Sequence, residues 1–146
     1  MKSGWKSVDD TYARILKLVS SEQFLKMQGL GNEVPFFICP YPAKEAVSVT
    51  RMQRQLVNSL AKNNIRVLEI NLYDLSIQIL QANGDWDYYL SKEATLPKEK
   101  LKEDLQSILD VESVLVPAIR EIMERDSFDV LFLSGVGEVF PYIRSH

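Results

Sequence analysis

A chain of 146 residues, 46% hydrophobic and 25% charged, has the composition of a soluble globular protein. It has the length of one domain, 1–146, which should bury about 70% of its unfolded surface. The net charge of -3 excludes a general attraction to nucleic acid or to an anionic membrane, and a single cysteine, Cys39, excludes an internal disulfide. A free thiol without a partner predicts a reducing, cytoplasmic compartment. No window is apolar over the length of a membrane span, and Lys2 and Lys6 precede no apolar signal core, so the chain is expected to be neither exported nor embedded.

In chain order, Ser7 is placed to cap a first helix whose third residue, Asp10, suits the positive end of the helix dipole. Tyr12, Ile15, Leu16 and Val19 then fall on one face. Ser20-Ser21-Glu22 restarts a short helical segment carrying Phe24, Leu25 and Met27, which Gly29-Leu30-Gly31-Asn32 ends. That glycine pair does not follow a strand, so it reads as a connector and not as a phosphate loop.

Three apolar runs read as strands, Val34 to Cys39, Val67 to Leu72 and Phe128 to Leu133. Helical sequence long enough for a crossover separates them, which predicts an α/β fold: three layers, a mainly parallel sheet of Rossmann-like or P-loop-like topology. Pro40-Tyr41-Pro42 follows the first run and contains no glycine, and its prolines have no N–H, so a Walker-type loop is excluded there. Cys39 has no nearby histidine and reads as a core thiol; His146, the only histidine, is the last residue and does not complete a dyad with it.

Ala43 to Asn63 is patterned as a helix, with Ala46, Val49, Met52, Leu56 and Leu60 as the face expected to cover the sheet. Lys44, Arg51, Arg54 and Lys62 lie off that stripe, and with Arg66 against the one acid Glu45 they give residues 44–66 a charge of +4. Such a face is either solvated surface or a site for an acidic partner or a phosphate backbone. Asn63-Asn64 ends the helix.

After the second run, Asp74 is expected to cap a helix from Leu75 to Gln81, and Asn83-Gly84-Asp85 to form a turn. Trp86, Tyr89 and Leu90 then share a face, reading as core packing first and as an anchor for a partner second. Leu96-Pro97 opens a further helix with Leu101, Leu105, Ile108 and Leu109 inside; Val114 to Met123 forms another, with Pro117 either in its first turn or kinking it. Residues 110–129 hold six acids against Arg120 and Arg125, a charge of -4. These helices make an insertion between the second and third strands, the expected place for a specific interaction surface.

The tip after the third strand, Ser134-Gly135-Val136-Gly137-Glu138, lacks the third glycine of a dinucleotide fingerprint, and Phe132 stands where a nucleophile elbow needs glycine. Asp74 and Glu138 both follow strand ends and read as helix-capping carboxylates before they read as cation ligands. Tyr41, Asp74, Gly135, Gly137 and Glu138 are therefore the candidate strand-tip residues, and Arg51, Arg54, Lys62, Trp86 and Tyr89 the candidate partner surface. No residue stands out as catalytic, and no cofactor is implied.

Three long stretches resemble one family. They are Phe24 to Tyr41, with Gly29-Leu30-Gly31-Asn32-Glu33-Val34-Pro35-Phe36-Phe37-Ile38-Cys39-Pro40-Tyr41; Ile70-Asn71-Leu72-Tyr73-Asp74-Leu75; and Asp129 to His146, with Leu133-Ser134-Gly135-Val136-Gly137-Glu138-Val139-Phe140-Pro141-Tyr142. Together they resemble BrxB, the small component of bacteriophage-exclusion (BREX) defence systems, in which further α/β sequence is expected after the position of His146. The resemblance implies a component without an established catalytic activity, acting with the alkaline-phosphatase-like protein PglZ and with the system's large ATPase as a second partner. The non-enzymatic adaptor it implies has two rivals from the residues themselves. One is a minimal nucleotide-binding module using Gly135, Gly137, Gly29 and Gly31; the other is direct DNA contact through Lys44, Arg51, Arg54 and Lys62.

Overall fold

The chain begins its first helix where a hydroxyl can satisfy a free backbone donor. Ser7 Oγ accepts from Asp10 N at 3.1 Å, and the helix α1 follows over Val8–Val19. The computed structural model describes residue 5, residues 7–26 and residues 36–139. Among these residues the chain divides into two compact units, one running to Val67 and taking in Phe128–Val130, the other comprising Leu68–Ser127 and resuming at Leu131.

In the first unit, α1 is followed by the single turn α2 (Glu22–Leu25), capped by Ser21, and a 3₁₀ turn over Ala43–Glu45 leads into α3 (Ala46–Lys62). Thr11, Ile15 and Val19 recur every four residues on α1 and are buried; on α3 the buried stripe is Val49, Met52, Leu56 and Leu60. The two stripes pack on each other, and Tyr12 Oη and Ser59 Oγ, 2.6 Å apart, share a hydrogen bond across the seam. α3 ends in a Schellman turn: Asn64 takes a φ of 62°, Ile65 N donates to Leu60 O and Asn64 N to Ala61 O. The buried Ile65 then leads to Arg66, whose carbonyl accepts from Asp129 N (2.8 Å) and Val130 N (3.1 Å), while its own N–H donates to Asp129 Oδ2 (2.8 Å).

This rung opens the sheet, a parallel pair of β1 (Val67–Asn71) and β2 (Val130–Ser134). The fold is thus mixed α/β and mostly helical, and the sheet of the described residues has two strands. The strand expected over residues 34–39 is corrected: Val34 lies outside the described residues, and Phe36 to Cys39 form no strand. Phe36 and Ile38 are 81% and 73% exposed, and the Phe37 ring takes the Arg14 guanidinium 5.2 Å above its centre. A high intrinsic preference for extended backbone makes a strand only where another strand offers its N–H and C=O groups. The α3 stripe packs on α1.

The second unit holds the rest of both strands with α4 (Leu72–Ala82), α5 (Trp86–Lys92), α6 (Lys98–Ile108), a π turn over Val111–Leu115, α7 (Val116–Arg125) and α8 (Val136–Val139). Its core gathers Ile70, Leu72, Leu75, Leu109, Leu115 and Val139, flanked by Leu68, Ile79, Ile119, Ile122 and Leu131. Gly84 turns the chain between α4 and α5 with a φ of 78°. Pro117 sits in the first turn of α7, directly after the π turn. Asp110 Oδ2 caps the π turn, accepting from Ser113 N and Ser113 Oγ, and these bonds hold its carboxyl below the usual range. Among the described residues no helix is long and apolar enough to cross a membrane.

Leu60 is wholly buried, so Leu60→Ala should cost about 2–5 kcal/mol in urea unfolding, whereas Tyr12→Phe, which removes one half-buried hydrogen bond, should cost about 1 kcal/mol. Ser113→Ala should raise the Asp110 pKa toward its ordinary value in an NMR titration. Because that pKa is depressed in the fold, the contribution is present above the unfolded value and lost as pH falls through the folded one, so the substitution should flatten the acid limb of stability.

Candidate interaction face and strand-end junction

Asn71 ends β1 and begins α4 without a loop between them. Its Oδ1 accepts from Asp74 N at 3.1 Å, making Asn71 the helix cap and placing Asp74 third in a helix that starts at Leu72. The expected cap by Asp74 of a helix starting at Leu75 is therefore corrected: the side chain that reaches the free N–H comes from the strand's last residue. Asn71 was missed in the sequence, although an asparagine three residues before an acid is a helix-start signal.

Gly135 follows the end of β2 with a φ of 79°, and a Cβ there would lie 2.7 Å from Asn71 Oδ1 and 3.1 Å from Tyr73 N. Only glycine fits so close to the cap and so far into left-handed backbone. Gly137 has no neighbour within 4 Å of such an atom, so the two glycines have different reasons to be there. Glu138 lies exposed on α8 and Asp74 exposed in the first turn of α4. The α4 start thus already donates to Asn71, and carboxylates stand at both helix starts, an arrangement that opposes phosphate. Among the described residues no group of three or more His, Cys, Asp or Glu side chains gathers to hold a metal ion.

On α3, Arg51, Arg54 and Lys62 form one exposed stripe with Asn58, at spacings of three, four and four. One turn earlier in the same stripe stands Val47, 75% exposed. Lys44 is exposed in the preceding 3₁₀ turn, and Tyr41 is exposed just ahead of it. Among the described residues none of these four cations forms an ion pair; Arg66, by contrast, has its Nε 3.7 Å from Asp129 Oδ2. Beside this stripe, an open groove of about 440 Å³ runs between α1 and α3, with Tyr12, Met52 and Ser59 along it and Asp9 and Lys62 among its other residues.

Trp86 and Tyr89 are half-buried, and no α5 residue is fully buried, so core packing accounts for only part of this aromatic face. Tyr88 and Tyr89 meet edge to face at 5.0 Å, with Tyr88 49% and Leu90 56% exposed. Burial first, and then the Asp104 carboxylate, push the Tyr89 phenol up; Asp104 also pairs with Lys100 at 2.9 Å and raises that ammonium. Cys39 is half-buried, and burial raises its thiol against the opposing pull of Arg14, which makes it a poor nucleophile at neutral pH. His146, Gly29 and Gly31 lie outside the described residues.

The profile of the family described as "BREX protein BrxB" matches residues 68–146, just over half of the chain. The chain belongs to the BrxB family. The matched region begins within β1 and therefore contains the Asn71–Gly135 junction and α5, whereas α1 and α3 precede it. A BREX protein BrxB of Bacillus cereus (strain H3081.97) is 29% identical over 150 residues, covering 97% of this chain and 74% of the relative. A BREX protein BrxB of Escherichia coli O9:H4 (strain HS) is 26% identical over 134 residues, covering 92% of this chain and 66% of that one. No solved structure matches the chain. Family membership makes it a component of BREX phage defence.

Gly135→Ala should cost roughly 1–3 kcal/mol and Asn71→Ala about 1 kcal/mol in chemical denaturation. Together they should cost less than the sum by about 0.5 kcal/mol or more, since losing the Asn71 side chain removes the closest contact of the new Cβ; strict additivity would mean that the two do not meet.

Proposed function

We propose that the chain is a non-enzymatic adaptor of its BREX system that binds the PglZ-like protein, with the system's ATPase as a second partner and the cytoplasm as its place of action. The observation that carries this reading is the row of exposed cations on α3 that form no ion pair among the described residues, flanked by an exposed valine, in a chain whose overall charge is negative. Charges left unpaired on a folded surface cost nothing in water and are available to a complementary partner. The absence of catalytic chemistry is supported by the strand-end junction, where the groups that would meet a ligand are engaged with each other: Asn71 with the α4 start, Gly135 against Asn71. The exposed rings of α5 support a second contact area, since aromatic side chains anchor interfaces.

DNA contact is the second reading, favoured by the same Lys44, Arg51, Arg54 and Lys62. It requires binding that falls steeply with salt. The three-layer, Rossmann-like form is our expectation for the fold around the parallel pair, and it requires a third strand beside β1 or β2.

Co-expression of this chain with the PglZ-like protein of the same BREX system, followed by size-exclusion chromatography with light scattering, should give a complex that survives ordinary salt. Absence of that complex, with both proteins folded, would sink the adaptor reading.

A further inference from the structure

Resting on the adaptor reading, we infer that the groove between α1 and α3, with the α3 cation stripe along it, is the docking site for an acidic amphipathic segment of the protein partner. The groove has two kinds of lining. Val8 and Tyr12, both half-buried, supply apolar surface, and the Tyr12–Ser59 hydrogen bond fixes the two helices at this point. Lys62, Asn58 and Gln55 lie on its α3 side, and Arg51 and Arg54 continue that stripe toward Val47. From Arg51 to Lys62 the helix rises about 16 Å, the length of three helical turns. A partner segment of three or four turns would therefore place apolar side chains over Val8 and Tyr12 and carboxylates along the stripe.

Charge complementarity selects the occupant. The three cations have no carboxylate partner among the described residues, so a carboxylate arriving from outside breaks no existing ion pair. A nucleic-acid backbone fits less well: a phosphodiester strand has no apolar group to bury against Val8 and Tyr12. A second copy of this chain is a weaker match. Its acidic helix α7 carries Arg120 and has Glu121 already paired to Arg125.

The test uses the intact chain and its PglZ-like partner, comparing Arg51→Glu/Arg54→Glu with Lys98→Glu/Arg120→Glu. All four side chains are exposed, and none is in an ion pair among the described residues, so both variants should fold as the wild type does. The first pair should weaken the complex by roughly 100-fold, chiefly through faster dissociation, and the second by less than about threefold. Met52→Ala is not used, because that side chain is buried in the unit's own core. A wild-type complex that both variants leave unchanged overturns this docking and leaves the adaptor reading standing; no wild-type complex overturns both. Salt-sensitive binding of a 30-bp DNA duplex, lost in Arg51→Glu/Arg54→Glu while the protein complex is unaffected, overturns it in favour of nucleic acid. Dimerisation of the chain abolished by the same variant would assign the groove to a second copy.

Discussion

The structure turns on the side chain of Asn71. It is the last residue of a strand and the cap of the next helix, and it leaves no room for a Cβ on the residue that follows the neighbouring strand. One amide oxygen thereby links where α4 begins to what may occupy position 135. The carboxyl ends of parallel strands are where open α/β folds place ligands, because the backbone donors of the following helices point there. In this chain that position is given to internal closure. A cap filled from within, with carboxylates beside it, makes a firm corner and a poor phosphate cradle.

The consequence is a division of labour along the sequence. The region matched by the BrxB family carries the closed corner and the core built on Ile70, Leu72, Leu75 and Leu115. The first unit carries a different design, a helix pair whose seam is apolar and whose outward stripe is cationic. Arg66 and Asp129 pair at the entry to the strands, so among the described residues Arg66 is the cation between residues 44 and 66 that an ion pair ties to the fold. The remaining four form no ion pair among the described residues, and that difference between a structural and an available cation is the basis of the adaptor reading.

Much of this was legible beforehand. Ser7, Ser21, Asn64, Gly84 and Pro117 do what their local chemistry dictates, because caps and turns are settled within a few residues of chain. The stripes of α1 and α3 were also legible, but not what they face: periodicity says that a side is covered without saying by what. Phe36-Phe37-Ile38-Cys39 failed for the same reason, since a strand exists only with a partner and the run of apolar residues does not name one. Asn71 is hard to read as a cap because it sits at the end of an apolar run with Asp74, also a capping residue type, close behind; only the closeness of Gly135, 64 residues later in the sequence, reveals the role. The cation stripe on α3 was visible, while the groove beside it depends on α1 packing across Met52 and Ser59.

On the proposed docking, the partner is held by the helix pair and not by the strand ends. Hydrogen–deuterium exchange of the chain alone and in complex with its PglZ-like partner separates the two. Docking on the helix pair should slow exchange in α1 and α3 and leave residues 71–74 and 135–138 unchanged. Protection confined to those strand-end residues, with α1 and α3 exchanging as in the free chain, would contradict it.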